Sequence, residues 1–178
     1  RRRRISFLMS VSVLSCPRIL VAGLSGGSGK TIVSLGLASA FSENGLSVQT
    51  FKKGPDYIDA KWLSLASKSI TTNLDPFLLS QEALVNLFWH RAVCREVALI
   101  EGNRGLYDGK DVVGSCSSAE LAKSLATPVI VVADCTKVTR TMAAVILGLT
   151  VFDPTVDIRG VILNRTAGCR HQNIVRDT

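Results

Sequence analysis

At 178 residues and 47% hydrophobic content the chain can bury one α/β core and no more. Its formal charge of +7 looks basic, but Arg1–Arg4 carry four of those charges, and the other Lys and Arg are scattered without aromatic interleaving, which argues against a nucleic-acid binder. No apolar run is long enough to span a membrane, and five cysteines, an odd number with no C-x-x-C pair, argue against a zinc site.

Arg1–Arg4 followed by the apolar stretch Ile5–Leu14 imitates a secretory leader. The first core strand begins almost immediately after Pro17, however. Residues 1–17 are therefore expected to be a disordered or artefactual extension, and 18–178 the folded unit.

The run Ile19–Leu24 reads as a buried parallel strand. Ser25-Gly26-Gly27-Ser28-Gly29-Lys30-Thr31 follows it and opens into an apolar, small-residue helix. This is the context of a phosphate-binding loop. Glycines let successive backbone N–H groups turn inward around phosphate oxygens, and the helix N-terminus adds its positive dipole end. Gly26, Gly27, Ser28 and Gly29 are then the cradle, Lys30 reaches the β/γ-phosphates, and the Thr31 hydroxyl is a Mg²⁺ ligand. ATP and Mg²⁺ are the implied cofactors, and a cytoplasmic setting follows from ATP.

The loop departs from G-x-x-x-x-G-K-[ST] in carrying Leu24 where glycine is expected, with Gly23 one residue early. The partition and septum-placement ATPases, which this loop resembles, carry a second lysine where Ser25 stands. Its absence points away from a dimeric ATP switch and towards the small-molecule ligases of the same superfamily.

The helix from Thr31 should stop near Glu43, before Asn44-Gly45. Leu46–Phe51 alternates as a second strand, and Lys52–Asp59 reads as a polar loop leading into a helix through Trp62, Leu63, Leu65 and Ala66. Asn73–Phe77 reads as a turn capped by Asp75, and Ser80 as the N-cap of a helix Gln81–Arg91. Val97–Glu101 is a strand ending on a carboxylate, Ser118–Ala126 a helix, Pro128–Asp134 a strand, Thr141–Val151 a helix and Ile158–Asn164 a last strand. Cys94 and Cys135 border apolar strand runs, where buried, reduced thiols are expected. Alternating strands and helices, with near-continuous Val/Ile/Leu strands, mean an α/β fold: a mostly parallel sheet covered by helices on both faces.

Ligands on such a sheet bind beyond the carboxyl ends of the strands. Lys52–Asp59, Glu101–Gly109 and Asn164-Arg165 all fall there. Lys53 and four acids, Asp56, Asp59, Glu101 and Asp108, would thus converge on the phosphate loop. Phosphoryl transfer needs this inventory: cations on the moving phosphate and carboxylates to hold Mg²⁺. Taken singly, each acid reads more plainly as a solvated turn former. Glu101, at a strand end beside glycine, does not.

The segments A-G-L-S-G-G-S-G-K-T, F-K-K-G-P-D-Y-I-D, N-L-D-P-F, E-G-N-R-G-L-Y-D-G, S-S-A-E-L-A-K and G-V-I-L-N-R span Ala22 to Arg165. In that order they resemble the cobyrinic acid a,c-diamide synthase family, with its dethiobiotin synthetase-like architecture; the nickel-sirohydrochlorin a,c-diamide synthases share them. The resemblance implies an ATP- and Mg²⁺-dependent ligase that amidates carboxylates through an acyl phosphate, using ammonia from glutamine. Carried over by motif, Lys30 and Thr31 serve ATP and Mg²⁺, and Lys53 steadies the γ-phosphate or the carboxylate. Asp56, Asp59, Glu101 and Asp108 share metal binding and substrate placement, with Asp59 and Glu101 joining Thr31 on the metal, and Asn164 reads adenine.

The partners so implied are a corrinoid or related tetrapyrrole, a glutaminase domain or free ammonia, and no nucleic acid or membrane, with a homodimer left open. The family continues into further synthetase elements and a glutaminase domain, so 18–178 is expected to be an incomplete synthetase domain. None of the five cysteines fits a glutaminase nucleophile, which needs a low-pKa thiol on a strand-to-helix turn beside a histidine. Cys169 with His171 comes nearest, yet no buried strand leads directly into it. Two other readings stand beside the ligase: an ATP-dependent positioning switch and a non-catalytic truncated remnant.

Overall fold

A computed structural model describes residues 15–178. The basic and apolar segments expected as a disordered extension lie, for residues 1–14, outside the described residues. Cys16 and Pro17, assigned by sequence to that extension, belong to the folded unit. Cys16 is buried with its thiol 3.4 Å from the Arg95 carbonyl, and the Pro17 carbonyl accepts from Ala98 N at 2.8 Å.

Among the described residues six strands alternate with six helices: β1 Arg18–Gly23, α1 Lys30–Glu43, β2 Val48–Lys53, α2 Tyr57–Ser67, β3 Thr72–Leu74, α3 Gln81–Ala92, β4 Val97–Gly105, α4 Ser118–Ser124, β5 Val129–Asp134, α5 Thr141–Phe152, β6 Ile158–Asn164 and α6 Gly168–Arg176. The strands form one sheet in the order β3-β2-β4-β1-β5-β6, and every pairing is parallel. Both faces are covered, as the apolar strands require. Leu20, Ala22, Phe51, Ile100 and Val131 point to one face, under α3 and α4, where Phe51 and Phe88 rings lie 4.9 Å apart. Val21, Leu99 and Val132 point to the other, under α1 through Ala38, Val33 and Leu37. Burying that many branched side chains, at about 1.5–3 kcal/mol each, is what holds the sheet together.

Four differences from the sequence expectation matter for the site. The second strand starts and ends two residues later, so Lys52 and Lys53 are strand residues, and all six of its positions are buried rather than alternating. Lys52 pairs in register with Glu101 on β4, which gains four residues beyond that carboxylate. Glu101 is therefore mid-strand and fully buried, not at the start of a loop. The turn read at Asn73–Phe77 begins as a short edge strand, β3, with Asp75 capping the turn after it through Phe77 N at 2.9 Å. A final helix, α6, follows β6, where the sequence carried no helical expectation. Cys94, expected buried, is exposed in a turn at φ 63°, while Cys135 is buried.

No helix among the described residues is long and apolar enough to cross a membrane.

Candidate functional site

The phosphate loop joins β1 to α1. Gly27 and Gly29 adopt φ of 74° and 101°, a region that side chains with a Cβ rarely enter. Gly29 caps α1 without any side-chain bond to its first N–H groups, so those donors face the loop's hollow. Lys30 is buried and folds back, its Nζ donating to the Ser25 carbonyl at 2.9 Å. Burial first, and the neighbouring Lys52 charge second, lower the Lys30 pKa from its ordinary value. The loop is braced from below: Asn164 Nδ2 donates to the Ser28 carbonyl at 2.9 Å, and a Cβ on Gly29 would collide with that amide.

Beneath the first turn of α1 lies a cluster of four side chains. Thr31 Oγ1 donates to Glu101 Oε1 at 2.7 Å and lies 3.4 Å from Asp59 Oδ2. Lys52 Nζ bridges the same two carboxylates, 2.7 Å from Asp59 Oδ2 and 3.0 Å from Glu101 Oε1. Four elements supply them: α1, α2, β2 and β4.

One ammonium thus serves two carboxylates, and their titrations diverge. Burial alone would pull Lys52 down, but Glu101 and the hydrogen bonds to both acids outweigh it and raise its pKa. Desolvation opposes ionisation of Asp59 as well, yet its bond to Lys52 prevails and lowers its pKa. Glu101, without solvent contact, is pushed up by burial against the pull of Lys52. Its second oxygen, Oε2, is buried with no hydrogen-bond partner among the described residues.

That orphan oxygen, with a hydroxyl and a second carboxylate beside it, fits a hard cation with oxygen ligands. No group of three His, Cys, Asp or Glu that would cage a metal occurs among the described residues. Mg²⁺ is commonly held by one or two carboxylates together with nucleotide phosphates, so Thr31, Asp59 and Glu101 suffice as the protein's share.

The other expected site residues lie around this cluster in different ways. Asp56 is the N-cap of α2: its Oδ1 accepts from Ile58 N and Asp59 N at 3.0 and 3.1 Å, and Oδ2 stands 3.9 Å from Lys52. It thereby orients Asp59. Asp108 is exposed and folds back to accept from Gly105 N at 2.8 Å, closing the turn after β4, and its charge is felt at Lys30. Asn164 has both polar atoms engaged, Nδ2 on the loop and Oδ1 with Arg165 N.

Lys53 is not in the cluster. As the residue after Lys52 on a strand it points to the opposite face, beside Asp75 and Cys116. The central cation is Lys52, absent from the expected catalytic set, and the signal was present as strand alternation had the strand been carried past Phe51. Ser118, fully buried, bonds the Asn103 backbone at 3.3 Å, and Asp134 pairs with Arg165 and Thr136.

Cys169 does lie on a strand-to-helix turn, as the second residue of α6. The His171 ring is committed elsewhere, accepting from Ala167 N at 2.9 Å through Nδ1 and bonding the Val138 carbonyl through Nε2.

A central parallel strand, a glycine-rich turn, a Lys-Thr pair opening a helix, a buried acid on the neighbouring strand and a part-buried one on the next helix define a phosphate-loop nucleotide-binding protein. Solved structures agree at the level of fold: chloroplast FtsY from Physcomitrella patens superposes with a TM-score of 0.56 at 17% identity, covering 84% of this chain and 50% of that one. Cell division protein FtsY from Thermotoga maritima gives 0.51 at 19%, with 84% and 52% covered. Residues 19–178 match the CobQ/CobB/MinD/ParA nucleotide binding domain, and the chain belongs to that family. Within it, the chain is 42% identical over 164 residues to cobyrinate a,c-diamide synthase of Dehalococcoides mccartyi, covering 92% of this chain and 35% of that protein. It is 44% identical over 161 residues to the cobyrinate a,c-diamide synthase of Magnetococcus marinus, covering 90% and 34%, and 43% identical over 162 residues to hydrogenobyrinate a,c-diamide synthase of Streptomyces coelicolor, covering 90% and 33%. The chain therefore spans about a third of the length of these curated relatives.

Proposed function

We propose that this chain is the ATP-binding synthetase portion of an amide ligase acting on the a and c carboxylates of a cobyrinic-acid-type tetrapyrrole. The observation that carries the reading is the Thr31–Asp59–Glu101–Lys52 cluster directly under the phosphate loop, contributed by motifs that resemble those of the diamide synthases, in a chain 42% identical to one of them. A cytoplasmic setting fits an ATP-consuming ligase, and nickel-sirohydrochlorin is the alternative macrocycle.

In this reading the loop's backbone N–H groups and Lys30 hold the β- and γ-phosphates. A substrate carboxylate oxygen bonds to the γ-phosphorus as the bond to the β,γ-bridging oxygen breaks, leaving ADP and an acyl phosphate. Thr31, Asp59 and Glu101 would hold Mg²⁺, which when bound offsets charge on the phosphates. Asp56 keeps Asp59 in place through the α2 cap, and Lys52 bridges Asp59 and Glu101, offsetting their mutual repulsion. Ammonia then bonds to the acyl carbon, inorganic phosphate leaves, and the ammonium nitrogen gives up a proton. In this reading that ammonia would come from a glutaminase domain or from solution.

The test is phosphate release by the purified chain supplied with ATP, Mg²⁺, ammonium chloride and cobyrinic acid, with calorimetric ATP affinity measured alongside. The reading expects micromolar-range ATP binding that requires Lys30, and phosphate release stimulated by the tetrapyrrole. ATP-induced dimerisation with no response to cobyrinic acid, or to nickel-sirohydrochlorin supplied in its place, would overturn it in favour of a positioning switch, and absence of ATP binding in favour of a non-catalytic remnant.

A further inference from the structure

Lys52 and Lys53 are both buried, but their surroundings differ. Lys52 has three carboxylates within 4 Å, whereas Lys53, only 7% exposed, makes no ion pair or side-chain hydrogen bond among the described residues. Burial lowers its pKa, and Asp75 only partly opposes that. A buried ammonium without a partner is costly, and such groups are retained where a ligand completes them.

Lys53 lines a cavity of about 290 Å³ at the carboxyl ends of β2 and β4, together with Arg104 and Lys110. Two acids also line it, Asp75 and Asp108, but each has an oxygen tied to a backbone N–H, of Phe77 and Gly105 respectively. Three cations against two such carboxylates leave the cavity positive. Asn103 adds a polar side chain to its wall. Asp108 also acts on Lys30, so this cavity adjoins the phosphate loop from the other face of the sheet.

The volume decides what can enter. Pockets that enclose a whole drug-sized ligand start at about 300 Å³. A macrocycle cannot fit here, but one carboxylate-tipped arm of it can. We propose that this cavity anchors a substrate carboxylate other than the one being phosphorylated, with Lys53, Arg104 and Lys110 as its cationic contacts. The inference rests on the amide-ligase reading and deepens it. Holding a neighbouring arm fixes which carboxylate of a polycarboxylate reaches the γ-phosphate, because position on the macrocycle then follows from the anchor.

Cys116 gives the cavity a built-in reporter, since it lines the wall half-buried, 3.4 Å from the Pro76 carbonyl. Calorimetry with tricarballylate, a simple tricarboxylate, and separately with cobyrinic acid measures affinity. Iodoacetamide labelling mapped by mass spectrometry locates the binding, with the exposed Cys94 and Cys169 as internal controls. We expect both ligands to bind the parent chain and slow Cys116 labelling alone. Lys53→Met should weaken both at least tenfold, and Arg104→Gln, an exposed position that leaves the core intact, about threefold or more. Unchanged affinity in both variants, or no tricarballylate binding to the parent, overturns the subsite. Tricarballylate binding that depends on Lys53, with cobyrinic acid inert, upholds the carboxylate anchor and removes the tetrapyrrole instead.

Discussion

Lys52 on β2 and Glu101 on β4 occupy register-paired positions, and their charged atoms meet at 3.0 Å in a place without solvent contact for the carboxylate. The same ammonium holds Asp59 at 2.7 Å, so a single cation ties two strands and a helix to the first turn of α1. Removing it leaves the fully buried Glu101 facing the part-buried Asp59 carboxylate without the ammonium that joins them. Lys52→Met should therefore cost about 3–5 kcal/mol, the range for breaking a buried pair from one side. Urea unfolding measures this directly, and a loss below 1 kcal/mol would show the cluster to be hydrated.

Lys53→Met should act in the opposite direction on stability. The folded-state pKa of Lys53 is lowered below its ordinary 10.5, so folding with the amine charged carries a penalty at neutral pH. That penalty vanishes as pH rises past 10.5, where the unfolded lysine is neutral too. The variant should melt higher than the parent at pH 7, by about 2–4 °C per kcal/mol relieved, with the gap closing above about pH 10. An equal or lower Tm at pH 7 would show that Lys53 is compensated in the fold.

Glu101→Gln keeps the shape and removes a charge that burial disfavours. The raised carboxyl pKa means that ionising Glu101 costs stability, but the change also takes from buried Lys52 its partner at 3.0 Å, so at pH 7 the variant should lose less stability than Lys52→Met rather than gain any. Mg²⁺ should no longer strengthen ATP binding, since the orphaned Oε2 becomes an amide or loses its charge. Calorimetry with and without Mg²⁺ compares the two proteins, and a retained Mg²⁺ effect would place the ion elsewhere.

Lys30→Ala should abolish measurable ATP binding while leaving the fold intact, because the loop keeps its glycine geometry and its Asn164 brace but loses the cation at its centre. Unchanged ATP affinity would remove the phosphate-loop assignment.

Gly109→Ala tests the third glycine of E-G-N-R-G-L-Y-D-G. A Cβ there would collide with the backbone of Gly114 and Ser115, which has no flexible end to yield. Overpacking of this kind costs about 1–3 kcal/mol, and thermal melting should fall accordingly. A parent-like Tm would mean that the loop shifts freely.

Sequence alone determined the class of this protein. Branched apolar runs such as Pro128–Asp134 bounded by turn residues read as buried parallel strands, and glycines followed by Lys30-Thr31 between a strand and a helix read as a phosphate loop, since both signals are local. It also placed Thr31, Asp59 and Glu101 together, through the motifs carried over from the resembled family.

What the sequence left undecided depended on where a strand stops and which way a side chain then faces. With β2 ended at Phe51, Lys52 and Lys53 are equivalent loop cations; two more residues of pairing against β4 send one to the carboxylates and the other to a separate cavity. Glu101 likewise looked like a strand terminus until β4 ran on to Gly105 and buried it. Asn164 as a brace under the loop is a bond between residues 136 positions apart, which no local pattern encodes, whereas Asp56 as the cap that aims Asp59 is a local helix-start signal hidden by reading Lys52–Asp59 as a loop. Side-chain alternation has a period of two, so an error of one residue in register exchanges the two faces of the sheet, and only the assembled sheet fixes it.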